Sequence, residues 1–161
     1  MDTSGEKPFA LLRILFGAVW LVDAVFKWNP AFFDAFTSYV VGGTQNQPPL
    51  VQSWIDLWVN GANVDPYSFA VVVAIGETAI ALSLLFGVLT QLGIAGGIAM
   101  MLVVWSTAEG FGGPYVAGST DIGAAAIYVI VFVALWFGRC WRQYSLDPLI
   151  RKWLPVLYQH W

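Results

Sequence analysis

The sequence predicts an all-α integral membrane protein. Its expected form is a bundle of four transmembrane helices, with short amphipathic helices in the first outer loop and at the C-terminus. Three observations carry this expectation. Of 161 residues, 58% are hydrophobic and only 11% charged, which is too apolar for a soluble domain of this size. Four predominantly apolar runs, at 9–26, 69–87, 89–107 and 122–138, would each extend roughly 25–29 Å as helices, close to the ~30 Å thickness of bilayer hydrocarbon. Apart from Lys27 at the far end of the first run, the lysines and arginines cluster near the two chain ends. Lys7 and Arg13 open the first run, Arg139, Arg142, Arg151 and Lys152 follow the last, and no Lys or Arg lies between Trp28 and Gly138.

The chain thus reads as one membrane domain, 1–161. The run at 9–26 reads as a retained helix rather than a cleavable signal, because Asp2 and Glu6 precede it and Asp23 and Lys27 take the place of a small-residue cleavage site. Asn29-Pro30 supplies an N-cap and first position for a short helix with an apolar stripe of Phe32, Phe33, Phe36, Tyr39 and Val40. After the turn-rich break at 42–49, a second short helix places Leu50, Val51, Trp54, Ile55 and Trp58 together, and Asn60-Gly61 is expected to stop it. The outer loop 28–68 therefore carries two helices, which serve equally well as interfacial anchors or as a lid. Asp65-Pro66 opens the second long helix. The tight turn Gly87-Val88-Leu89-Thr90 folds the second and third helices into a hairpin, and Gly93 and Gly97 allow the third to pack closely. Ser119 or Thr120 is the expected cap of the fourth, and Pro148 opens a short basic amphipathic helix suited to an anionic inner leaflet.

The positive-inside rule puts both termini in the cytoplasm of a multi-pass protein of the cell (inner) membrane. The outer loops then carry only acids, Asp34, Asp56, Asp65, Glu109 and Asp121, a surface that does not suit nucleic acid. A single cysteine, Cys140, and a single histidine, His160, support neither a dithiol centre nor haem or metal ligation.

Glu77 stands within an apolar run, where a carboxylate is costly unless it is paired, protonated or facing water. In this topology it lies ~12 Å below the outer surface, while Lys27 ends the first helix and Asp23 is one turn deeper. Glu109 and Asp121 flank the loop between the third and fourth helices. Asp23, Lys27, Glu77, Glu109 and Asp121 are the candidate site. Trp20, Trp105, Tyr115 and Tyr128 lie at suitable depth to line it, and Arg13 is a deeper cation. Plain structural roles stand beside these: an i,i+4 salt bridge for Asp23 and Lys27, a helix-dipole role for Asp121, a solvated loop position for Glu109, and snorkelling to the inner headgroups for Arg13.

Three stretches carry a family resemblance. Leu12-Arg13-Ile14-Leu15-Phe16-Gly17, followed by Asp23 and Lys27, resembles the first helix of the DoxX family. Gly76-Glu77-Thr78-Ala79-Ile80-Ala81-Leu82-Ser83-Leu84-Leu85-Phe86-Gly87 resembles its second-helix motif. Glu109-Gly110-Phe111-Gly112-Gly113-Pro114-Tyr115 with Gly118-Ser119-Thr120-Asp121-Ile122-Gly123 resembles the DoxD branch, the small membrane subunit of thiosulfate:quinone oxidoreductase. The resemblance implies a four-helix membrane protein that passes electrons from thiosulfate to a membrane quinone, giving tetrathionate. A buried carboxylate such as Glu77 could relay the protons that quinone reduction takes up. The acidic outer rim opposes a dianionic donor, so a second membrane-anchored or extracytoplasmic subunit is one expected source of cations. Two other classes remain open: a non-catalytic subunit or scaffold holding a partner through 28–68, and a small proton-coupled transporter using Glu77.

Overall fold

A computed structural model of the chain describes residues 4–117, 119 and 121–153. Gly118, Thr120 and His160 lie outside the described residues. Among the described residues there are seven α-helices and no strand. The helices are α1 (Lys7–Lys27), α2 (Pro30–Gly42), α3 (Pro49–Ala62), α4 (Pro66–Phe86), α5 (Thr90–Ser106), α6 (Ala124–Phe137) and α7 (Asp147–Trp153).

The helix starts follow local chemistry. Asn29 caps α2 by accepting from the Ala31 N–H at 3.0 Å, and Asp65 caps α4 by accepting from the Ser68 N–H at 3.1 Å. Prolines fill the first turns of α1, α2, α3 and α4, where a missing N–H costs nothing. Gly87, with φ of 65°, ends α4 in the left-handed conformation that glycine adopts without penalty.

Two helices begin differently from expectation. Ser119 does not supply the cap of α6, and the other expected cap, Thr120, lies outside the described residues. Glu109 supplies it, reaching back from the preceding loop to accept from the Ala125 N–H at 3.1 and 3.2 Å. Asp147 does the same for α5, accepting from the N–H groups of Leu89 (2.6 Å) and Thr90 (3.2 Å). Both caps are carboxylates at helix N-termini, where the dipole favours negative charge.

α1 packs along α4, α4 along α5 and α5 along α6, and α6 meets α1 to close the ring. The shared core is aromatic: Phe16, Trp20 and Phe132 meet at centroid distances of 5.0 to 6.3 Å. Gly17 lets α1 approach the backbone of Leu84 and Leu85 on α4, and Gly97 accepts the ring of Phe132. α1 and α4, at 21 residues each, are long and apolar enough to cross a membrane by length and composition. α5 and α6, at 17 and 14 residues, are shorter apolar helices. α6 falls short of the expected 122–138 because Gly123, with φ of 97°, holds the preceding backbone out of the helix.

α2 leans on α4 and α3 on α2, so the 28–68 segment covers the end of the bundle where α1 finishes. α3 continues past Asn60-Gly61 to Ala62, because Ala62 is buried in a cluster with Phe36 and Ala70. The expected α3 stripe also splits: Ile55 is fully buried while Leu50 is 83% exposed. The opposite end is closed by a turn at Cys140–Arg142 and by α7, which opens at Asp147 and places Arg151 and Lys152 in its last turn.

Candidate functional site

The covered end of the bundle holds a cavity of about 800 Å³, within the range of sites that bind small organic molecules. α1 contributes Trp20, Asp23 and Lys27, α4 contributes Phe69, Val73 and Glu77, and Met101, Val104 and Tyr128 come from α5 and α6. Phe32, Phe36, Tyr39 and Val40 of α2 and Trp58 of α3 form the roof. The 28–68 helices therefore act as a lid over the cavity, one of the two roles open to them in sequence.

Glu77 is buried, 4% exposed, and pairs with Lys27 Nζ at 3.1 Å. This corrects the expected Asp23–Lys27 pair. A buried carboxylate left unpaired is strongly unfavourable, so Lys27 bridges from α1 to α4 rather than along its own helix. The Lys27 ammonium also lies 5.5 Å from the centre of the Phe32 ring, tying the pair to the lid. Asp23 instead accepts a hydrogen bond of 3.4 Å from the Tyr128 hydroxyl. Beside Glu77, the Thr78 hydroxyl donates to the Ala74 carbonyl and accepts from the indole N–H of Trp28 at 3.0 Å.

Glu109 reaches the cavity wall while capping α6. Partial burial pushes its carboxyl above the usual carboxylate range, with Asp121 adding repulsion and the Ala125 N–H opposing both. The lid is pinned to the same loop: the buried Gln47 amide donates to the Gly110 carbonyl at 2.9 Å.

Four other sequence candidates do not line the cavity. Asp121 is exposed and accepts from the Gly123 N–H at 2.8 Å, a turn rather than a site contact. Trp105 turns its indole N–H to the Ile122 carbonyl (2.9 Å) and packs edge-on against Phe111. Tyr115 is 64% exposed and donates to the Phe111 carbonyl. Arg13 neither snorkels nor joins the site. It is 0% exposed and donates to the carbonyls of Tyr144 (2.5 Å) and Cys140 (3.4 Å) at the far end of the bundle. There Ser145 also donates to the Gly87 carbonyl at 2.8 Å, fastening the tail to the α4–α5 turn. Burial pushes the Cys140 thiol up to about 12, so it is an inert packing residue.

Sequence reasoning missed the cavity-lining roles of Trp58 and Phe36. The α2 and α3 stripes were visible, but nothing in one sequence says that they turn onto α1 and α4.

The indole N–H groups of Trp20 and Trp58 are buried and have no hydrogen-bond partner in the protein. Both residues line the cavity, whose walls are otherwise mostly apolar. No family model, curated protein or solved structure matches the chain.

Proposed function

We propose that the chain is a four-span protein of the cell membrane with both termini cytoplasmic. In this reading its outward cavity binds a membrane quinone, as a DoxX/DoxD-type component of a sulfur-compound oxidoreductase. The observation that carries the reading is the pairing of an apolar cavity with the buried Glu77–Lys27 pair. A bilayer setting is supported by the apolar side chains on the outward faces of the helices. Leu15, Val72 and Ile130, on α1, α4 and α6, are each 67–68% exposed, and large apolar side chains exposed in this number suit hydrocarbon better than water.

In this reading a bound quinone supplies a two-electron acceptor whose oxygens take up two protons. Two thiosulfate ions, each giving one electron, would join through a new S–S bond as tetrathionate. Trp20, Trp58 and the roof of α2 surround the ring, while Glu77, ion-paired with Lys27 at the cavity wall, would take up and pass on a proton as that pair opens. The cavity's carboxylates, Asp23, Glu77 and Glu109, face one cation, Lys27. Such a wall repels a dianion, so we assign donor oxidation to a surface completed by a second subunit. The scaffold reading draws on a different observation, the exposed Leu50, Trp54 and Leu57 along α3.

The test is the purified chain. It should retain quinone on extraction and, with the partner present, should reduce a soluble quinone analogue when given thiosulfate, faster as pH falls. No retained quinone and no turnover with or without partner would leave the scaffold as the better account. Topology is tested separately. A cysteine replacing Asn46 should react with an impermeant reagent in intact cells, and one replacing Lys152 should be protected.

A further inference from the structure

An ionised carboxylate accepts hydrogen bonds at both oxygens and donates none. In the cavity wall, Glu77 uses Oε2 on Lys27 Nζ at 3.1 Å, and Asp23 uses Oδ2 on the Tyr128 hydroxyl at 3.4 Å. Among the described residues, Glu77 Oε1 and Asp23 Oδ1 have no partner, and both keep accessible surface. The two residues line one cavity, and Asp23 is close enough to Glu77 for their charges to repel. The indole nitrogens of Trp20 and Trp58, by contrast, are sealed inside the wall. Lys27 is the cavity's cation, and its ammonium has hydrogens beyond the one given to Glu77. A ligand therefore meets two open carboxylate oxygens beside one ammonium. A quinone oxygen only accepts, so it can answer Lys27 but sets its lone pairs against the carboxylates. A hydroquinone hydroxyl both accepts and donates, so it can answer either.

From this surplus we propose that Glu77 Oε1 and Asp23 Oδ1 are the acceptors for the ligand, and that the cavity holds a hydroquinone more tightly than the matching quinone. The inference rests on the quinone reading above and adds which redox form the wall prefers. A hydrogen bond to a charged acceptor is among the stronger kinds, so the preference should be at least about ten-fold. Tighter holding of the reduced form makes the bound quinone a stronger oxidant than the free one, by about 30 mV for each ten-fold. The site then draws electrons onto the quinone and releases the product slowly.

The test is the ratio of the two affinities. The probes are a decyl-substituted benzoquinone, its hydroquinone kept reduced without air, and decylbenzene as a tail without oxygens. Each is titrated by calorimetry into the full chain in nanodiscs, with empty nanodiscs subtracted. The hydroquinone should bind wild type at least about ten-fold more tightly than the quinone, and decylbenzene should bind weakest. Glu77→Gln and Asp23→Asn each replace one acceptor oxygen with an amide donor, so each should bring the ratio toward unity. A residue that only supports the fold would weaken both forms alike and leave the ratio unchanged. Asp23 is only part-buried, so Asp23→Asn keeps the test open should Glu77→Gln not fold. A quinone bound as tightly as the hydroquinone, or a wild-type ratio in every folded variant, overturns the acceptor assignment and leaves the quinone reading standing. If neither form binds better than decylbenzene, both fall.

Discussion

The two ends of the bundle each bury a charged side chain, and they use it in opposite ways. At the tail end Arg13 gives its N–H groups to the carbonyls of Cys140 and Tyr144, with Asp147 close enough to attract it. Arg13 is fully buried there, and the result is a clamp between α1 and the C-terminal segment at Cys140–Tyr144. At the covered end Glu77 meets one side chain, Lys27, and the pair faces about 800 Å³ of mostly apolar space. A buried charge satisfied by backbone carbonyls is committed to holding the fold. A buried charge satisfied by one side chain beside a cavity remains available for a ligand or a proton.

Substitutions should separate the two ends. The largest effect is expected from Glu77→Gln. It should lower quinone reduction by at least about 100-fold, the scale of a lost proton-transfer group, while the protein stays inserted and folded. Turnover at the wild-type rate would remove Glu77 from the chemistry, and a variant that fails to fold would make it another clamp.

Next in size is Arg13→Met. It leaves the buried Cys140 carbonyl and the part-buried Tyr144 carbonyl without their donor, at about 1–3 kcal/mol for the buried one, so thermal unfolding in detergent should report a loss of about 2 kcal/mol. Quinone affinity of the folded fraction should be unchanged. A variant as stable as wild type but unable to bind quinone would reverse the comparison.

The smallest effect is a pH dependence at Glu109. Its folded carboxyl is raised above the ordinary glutamate value of 4.5, chiefly by burial. The fold therefore holds the proton more tightly than the unfolded chain does. Ionisation costs stability at neutral pH, and that cost is relieved as pH falls through the raised value toward 4.5. Relative to Glu109→Gln, the wild-type melting temperature should rise over that window, by less than about 3 °C for a part-exposed group. An unchanged difference across the window would show that the Ala125 hydrogen bond offsets the burial.

Much of the fold was legible in the sequence because it rests on local signals. Asn29-Pro30, Asp65-Pro66 and Gly87 punctuate the helices through chemistry contained within a few residues. The caps of α5 and α6 were not legible, since Asp147 and Glu109 reach them from 57 and 16 residues away in sequence. The site divides the same way. Glu77, Asp23, Lys27, Trp20, Tyr128 and Glu109 converge because helix depth is readable at 1.5 Å per residue. Azimuth is not, so the i,i+4 spacing of Asp23 and Lys27 does not tell that Lys27 turns to Glu77, and Arg13, Trp105, Tyr115 and Asp121 lie at or near readable depths without lining the cavity. The aromatic roof was missed for a related reason: its stripe has a clear period, but its target is tertiary.

The comparison comes to rest on one claim, that the covered end receives the quinone and the clamped end does not. Photolabelling the purified protein with an azido-quinone, followed by peptide mapping, tests it directly. The account predicts labels on residues around the cavity, such as Phe36, Val73 and Tyr128, that are competed away by the unmodified quinone. Competed labels confined to the Arg13 end, around Gly87, Tyr144 and Ser145, would contradict it.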